Sequence, residues 1–265
     1  TTKAAGALAP ADPYFYDVTL LLNGDGTNGG QNNTFLDSST NNFTITRNGN
    51  TTQGSFSPYG NLWSNYFKGT GDTITLPTNS AFAFGTGDFT VEFWYYPTSS
   101  SFGSGGAGSY GACIYDTRAS AGSSTGILFG TLNNGKVFAF TNSTPFLQST
   151  NSCTAFQWNH IAFTRTSGTI TCYINGVSGG SATASTNFTD TTLRISGPVD
   201  YSAGYLEVIG YISNMRSVKG TAVYTSNFIP STTPLTAITN TSLLTCQSNR
   251  FIDNSANNFA LTVSG

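Results

Sequence analysis

The chain has 265 residues and a formal net charge of −2, and charged residues make up only 8% of it, against about 25% in an average soluble domain. With so little positive charge there is no field to hold a phosphate backbone, which disfavours nucleic-acid binding. No apolar run approaches the roughly 18 residues needed to span a membrane.

Apolar residues reach 38% and aromatics 14%, including 20 Phe and 13 Tyr, which suffices for a continuous core. Glu92 and Glu207 are the only glutamates, so the exposed faces of helices would lack their usual residues. The wealth of Thr, Phe, Tyr and Val favours strands, and that of Gly, Asn and Ser favours turns.

In chain order, Thr1–Pro10 carries one Lys and no long apolar core, so it does not read as an intact signal peptide. Residues 1–16 are expected to form an arm, or the start of a processed chain. Val18–Leu22 reads as a strand, followed by a Gly/Asn loop from Asn23 to Asn33. Phe43, Ile45 and Arg47 alternate on a second strand that Asn48-Gly49 ends. Asn65–Lys68, Thr73–Leu76 and Phe89–Tyr96 follow, the last apolar at Phe89, Val91, Phe93 and Tyr95 as a central strand should be. Ser99–Gly111 has no periodicity. Ala112–Asp116, Gly126–Leu132 and Lys136–Thr141 are shorter strands. Asn159–Thr166 and Thr169–Ile174 form a hairpin across Ser167-Gly168, and Asn175-Gly176 turns the chain again. Thr191–Ser196 and Gly210–Ser217 complete the set. Strands every 8–12 residues without a 3.6-residue period predict an all-β, antiparallel two-sheet jelly-roll sandwich over residues 17–239.

An internal repeat stands apart. FLDSSTNNFTIT (35–46) matches FIDNSANNFALT (251–262), and Leu20-Leu21-Leu22 has its counterpart in Leu243-Leu244. Residues 240–265 therefore read as a strand pair resembling residues 20–46. It is either a truncated tandem copy or a pair that completes a sheet, in this chain or in a neighbour, by strand addition. On the second reading Leu243, Leu244, Phe251, Ile252, Phe259 and Leu261 are the candidate assembly residues.

Several segments carry a family likeness: LLLNGDGTNG, NYFKGTGDTITLP, FAFGTGDFTVEFWYYPT, WNHIAFTRTSGTITCYINGV and GYISNMRSVKGTAVYTSNFIPSTTPL. In order and spacing they resemble the concanavalin A-like lectin/glucanase superfamily, in its laminin-G-like branch. The resemblance implies a jelly roll. Its wording is similar to modules of phage structural and tail proteins and of bacterial surface adhesins.

Glycosidases of this superfamily set two carboxylates on one strand face. Here Glu92 has no acid two residues away, so the paired-acid motif is absent and a glycoside hydrolase is only a remote alternative. Glu92 reads as an outward-facing or hydrogen-bonded strand residue, and His160 as a packed or solvent-edge one. Calcium prefers six to eight oxygen ligands. Asn23, Asp25 and Asp37 could supply some, unless the two aspartates only close turns. The branch's usual acid near Gly210 is replaced by Ser213 and Asn214, which weakens the calcium reading. Trp94 and Trp158 lie in apolar runs and read as core. Trp63, Tyr110 and Tyr201 are the candidate glycan-stacking residues. Cys113, Cys153, Cys172 and Cys246 form no CxxC pair. They allow three disulfide pairings, or can serve as buried hydrophobes, the reading preferred here.

Together these readings describe a non-catalytic structural or adhesive module of a phage virion or surface fibre, acting at the virion or cell surface. Its expected partners are copies of itself or other virion and fibre subunits. The alternative is a lectin module binding cell-surface glycans.

Overall fold

The structure is a computed structural model that describes residues 12–22, 35–46, 56–60, 62–105, 109–142, 144–199 and 205–265. It forms two compact units, residues 1–56 and 57–265. The sequence reading had placed its first boundary at 16/17.

In the second unit the strands are β1 (Asn65–Lys68), β2 (Thr73–Leu76), β3 (Phe89–Pro97), β4 (Tyr110–Asp116), β5 (Leu128–Leu132), β6 (Val137–Thr141) and β7 (Thr144–Gln148). They continue as β8 (Asn159–Thr166), β9 (Thr169–Ile174), β10 (Val177–Thr183), β11 (Leu193–Ile195), β12 (Ile209–Lys219), β13 (Thr241–Thr245) and β14 (Thr262–Ser264). Among the described residues the only helical pieces are two single 3-10 turns, Phe15–Asp17 and Ser80–Phe82, and no helix is long and apolar enough to cross a membrane.

The strands form two antiparallel seven-stranded sheets. One runs β1-β12-β3-β8-β9-β10 with β13 also on β12, and the other runs β14-β2-β11-β4-β5-β6-β7. This is the jelly-roll sandwich that the alternation predicts. Alternation builds its core: Phe89, Val91, Phe93 and Tyr95 of β3 and Ile161 and Phe163 of β8 meet Ile114 and Tyr115 of β4, Phe129 of β5 and Val137 of β6. Phe129 and Phe163 stack across the layers with centroids 4.2 Å apart, and the Tyr115 hydroxyl reaches Ser217 Oγ at 3.2 Å.

Two strands escaped the sequence pattern. β7 contains Pro145 and β10 contains Gly179-Gly180, both poor strand signals, and both strands lie at sheet edges, where such residues are tolerated. The Asn175-Gly176 turn has φ of 51° and 77°, suited to a two-residue hairpin. Gly176 is required twice over, because a Cβ there would lie 1.8 Å from the Phe228 carbonyl oxygen.

The C-terminal pair is integral to this sandwich. β13 pairs with β12, Leu243 opposite Ser217 and Leu244 opposite Arg216. β14 pairs with β2, and Phe259 lies 5.2 Å from Phe82. Leu243 and Leu244 are buried. They are therefore core residues of their own chain here, the same-chain member of the two alternatives that the sequence leaves open. Phe259 and Leu261 also pack against the core, whereas Phe251 and Ile252 stay partly exposed.

The four cysteines are buried and form no disulfide. Burial pushes the thiols of Cys153 and Cys246 up to about 12 and that of Cys172 to about 11.

Two outcomes follow from this packing. Leu243→Ala is expected to cost about 2–5 kcal/mol in urea denaturation, whereas Leu20→Ala at the matching N-terminal position stays within about 0.5 kcal/mol in dilute solution. A thiol reagent is expected to leave all four cysteines unlabelled in the native protein and to label all four in denaturant.

Candidate functional site

Because odd-numbered residues of β3 face the core, Thr90, Glu92, Trp94 and Tyr96 face outward. Glu92 is nevertheless fully buried. A register shift in β12 between Ser213 and Arg216 sets Arg216 opposite Glu92, and Glu92 Oε1 accepts from Arg216 Nε at 2.9 Å and from Nη2 at 2.6 Å. Its Oε2 lies 3.1 Å from His160 Nε2 and accepts from the Tyr224 hydroxyl at 2.8 Å. Tyr224 stacks flat on Phe228 with centroids 3.6 Å apart, and Phe228 meets the edge of His160. The stretch from Tyr224 to Thr236 thus covers this face, and Arg216 Nη1 donates to Thr236 O at 2.8 Å.

Burial alone would raise the Glu92 carboxyl. The His160 contact, the Arg216 charge and the Tyr224 hydroxyl outweigh it and hold the carboxyl below its ordinary 4.5. Both oxygens are committed to donors inside the protein, and among the described residues no second carboxylate shares the cluster. Glu207 is held elsewhere, its Oε2 accepting from Gly71 N at 2.8 Å. The cluster therefore works as a fastening, in line with the hydrogen-bonded reading of Glu92 and the packed reading of His160.

The opposite face of the sandwich carries a cavity. On β4 to β6 the inward residues are Ile114, Phe129, Val137 and Ala139. Their neighbours Cys113, Leu128, Phe138 and, partly exposed, Tyr110 and Phe140 gather on the outer face with Leu206 and Tyr205. Tyr110 meets Phe138 edge-on at 5.3 Å and Phe140 at 6.4 Å. A cavity of ≈ 280 Å³ opens between Tyr110, Phe138, Phe140, Tyr205, Arg118 and Asn142. Arg118 is fixed there: Nε donates to Asp116 Oδ1 at 2.9 Å, Nη2 to Asp116 Oδ2 at 2.8 Å and Nη1 to Ala121 O at 2.9 Å. Its guanidinium lies 5.0 Å over the Phe140 ring. Gly130 sits opposite Phe138 in the register, and a Cβ there would come within 3.0 Å of the Phe138 ring. The missing side chain gives the aromatic wall its room.

Of the candidate glycan residues, Tyr110 lines this cavity, and Tyr201 lies outside the described residues. Trp63 is 40% exposed, and its carbonyl accepts from Ser213 Oγ at 3.0 Å. Trp94 and Trp158, read as core, are instead only partly buried and line an open groove of ≈ 420 Å³ with Tyr59, Asn175 and Pro230. Trp94 Nε1 donates to Tyr59 OH at 2.7 Å, and burial raises that phenol to about 12. Every residue from Phe93 to Tyr96 is aromatic, so the inside–outside alternation was masked there.

Arg118, Phe138, Phe140 and Tyr205 were missed by the sequence reading. Phe138 and Phe140 flanking Ala139 would have placed two rings on one face. The calcium candidates Asn23 and Asp25 lie outside the described residues. Asp37 Oδ1 accepts from Leu21 N and Ser39 N at 3.0 and 2.9 Å, and Oδ2 from Ser39 Oγ and Phe43 N, both at 2.9 Å. Burial opposes ionisation, but these bonds hold the carboxyl down at about 2, and they give Asp37 the turn-closing role. Among the described residues no group of three His, Cys, Asp or Glu is placed to hold a metal.

The Glu92 fastening predicts an acid limb in stability. A carboxyl held below 4.5 in the folded state stabilises fully above that pH and loses its contribution as the pH falls below it. Glu92→Gln is expected to flatten that limb in urea midpoints measured from pH 7 to pH 3. Glu92→Ala, which strands Arg216, is expected to cost about 3–5 kcal/mol at pH 7.

No curated protein matches the sequence. Among solved structures, a Bacteroides ovatus protein proposed to bind carbohydrate shares 12% identity at a TM-score of 0.53, covering 75% of this chain and 60% of its own. The present chain thus spans less than two thirds of that relative. The CBM40 of a Ruminococcus gnavus IT-sialidase, solved with α2,3-sialyllactose, shares 11% identity at a TM-score of 0.47 over 61% of this chain and 91% of its own. Mouse laminin α1 domains LG4-5 share 15% at a TM-score of 0.43, over 66% and 50%. Residues 68–216 match Laminin_G_3 of the concanavalin A-like lectin/glucanases superfamily. This stretch runs from the end of β1 into β12, more than half of the chain, and the chain belongs to that family.

Proposed function

We propose that the protein is a non-catalytic carbohydrate-binding module and that the β4–β6 cavity receives one sugar ring. The observation that carries this reading is the pairing of an aromatic wall, Tyr110, Phe138, Phe140 and Tyr205, with polar groups at Arg118 and Asn142 around ≈ 280 Å³. That is near the lower end of small-ligand cavities, about 300 Å³. A pyranose presents C–H faces to rings and hydroxyls to fixed polar groups, and this lining offers both. Arg118 is neutralised by Asp116, so the chemistry favours a neutral sugar over an acidic one. A family relationship to lectins and the likeness to a protein proposed to bind carbohydrate support the reading. The full engagement of Glu92 by Arg216, His160 and Tyr224 supports the non-catalytic part. Such a module would act at a cell surface or on a virion.

The second reading is a structural role in a virion or surface fibre. It is favoured by the exposed apolar row Leu20, Leu22, Leu36 and Phe43 in the first unit, more than a monomer needs to show.

A glycan array followed by calorimetry is expected to find neutral-sugar binding that Tyr110→Ala and Phe140→Ala weaken about 3–10-fold each, one lost ring contact of about 0.5–1.5 kcal/mol. Trp158→Ala in the opposite groove is expected to leave binding unchanged. Binding that Trp158→Ala abolishes and Tyr110→Ala spares would move the site to the groove. Retention of no glycan would remove the reading.

A further inference from the structure

The two repeat copies match down to single hydrogen bonds. In the C-terminal copy Asp253 Oδ1 accepts from Leu244 N at 3.0 Å and Ser255 N at 2.9 Å, and Oδ2 from Ser255 Oγ at 2.8 Å and Phe259 N at 3.0 Å. The Asp37 bonds of the N-terminal copy are the same four, from Leu21, Ser39 twice and Phe43. Asn257 Nδ2 donates to Ser242 O, and Asn41 Nδ2 to Thr19 O, both at 2.9 Å. Asn258 and Asn42 both take positive φ, 46° and 49°.

The copies differ in what their apolar side chains meet. Leu243 is 0% exposed on the β12 edge, while its counterpart Leu20 is 50% exposed. Phe259 packs on Phe82, while its counterpart Phe43 is 52% exposed. Two positions further along the strand the comparison favours the N-terminal copy. The Thr245 hydroxyl is buried on the β12 edge with only the Cys246 sulfur as a partner, a weak one, and the N-terminal copy carries the apolar Leu22 there.

We propose that residues 19–22 with 35–46 are a second closing element, which adds as an antiparallel strand to the β12 edge of another copy of this chain, in the place of that copy's own β13. The proposal deepens the structural reading above and rests on it. Such an exchange releases β13 of the receiving copy and replaces its apolar contacts with an equivalent set from the incoming one. It is nearly balanced in contacts, so it is favoured where the protein concentration approaches the effective concentration of the tethered β13. The turn is already closed by the Asp37 bonds, so little ordering remains to oppose docking.

The test uses full chains. Leu243 lies opposite Ser217, so the proposal sets Leu20 of one copy opposite Ser217 of another, with Cα atoms about 4.5–5.5 Å apart, within disulfide reach. A Leu20→Cys chain and an isotopically distinct Ser217→Cys chain are mixed and oxidised, and mass spectrometry is expected to find the cross-chain link. Light scattering of the native chain is expected to show mass above the monomer as concentration rises. That excess is expected to vanish in Leu20→Asp and in Leu243→Cys/Ser217→Cys, which locks β13 in its slot. If Ser217→Cys does not fold, Leu20→Asp decides alone. Absence of the link, or a link formed only within a doubly substituted single chain, overturns the proposal. An oligomer that survives Leu20→Asp overturns this element but leaves the structural reading standing. A monomer at every concentration removes both.

Discussion

A carboxylate taken out of water must find charge and hydrogen bonds in the protein, and Glu92 makes that demand at the centre of β3. The response involves the two neighbouring strands and a loop. β12 shifts register so that Arg216 faces Glu92, β8 supplies His160 opposite Trp94, and Tyr224 comes over the top. Since Arg216 also holds the Thr236 carbonyl, one buried ion pair ties the covering segment to the sheet. The outer face of the first sheet is closed over this cluster, and what remains open there is the flanking Tyr59–Trp94–Trp158 groove.

Among the described residues no such segment covers β4 to β6 of the second sheet. Its outer face keeps aromatic residues in positions where an ordinary exposed strand would carry polar ones. Burial of Cys113, Leu128 and Phe138 beneath Leu206 makes a firm floor, and the Asp116–Arg118 pair fixes a polar wall. Rigid aromatic and planar polar groups lose little side-chain freedom when a ligand arrives. The chain thus puts the buried Glu92 cluster to structural use on one face and leaves a preformed recessed surface on the other. That division of labour suits binding better than chemistry.

The sandwich edge is finished by the C-terminal pair, which supplies β13 to one sheet and β14 to the other. Without it β12 would show an unpaired apolar edge, a standing invitation to association. The N-terminal copy holds the same turn in ready form, closed by Asp37 in place of Asp253. The proposed strand exchange would use this second piece to link copies.

Much of this was legible in the residues. Period-2 alternation over Phe89–Tyr96, Asn159–Thr166 and Thr169–Ile174 determined the strands, because one buried face imposes its spacing on the chain. The Asn-Gly and Ser-Gly pairs determined the hairpins, because few residues accept positive φ. The repeat of FLDSSTNNF as FIDNSANNF determined that two segments would share one turn. Tertiary structure alone decided the rest. Whether Trp94 points in or out depends on parity within a run of aromatics, which composition does not resolve. Arg216 meets Glu92 only because a register shift brings residues 124 apart in sequence together. Arg118, Phe138 and Tyr205 converge on one cavity because β4, β6 and the segment before β12 lie side by side in the second sheet's outer layer. β13 closes its own sandwich because β12 presents an edge of matching length. Contacts between distant segments are set by packing, and sequence spacing carries no record of them.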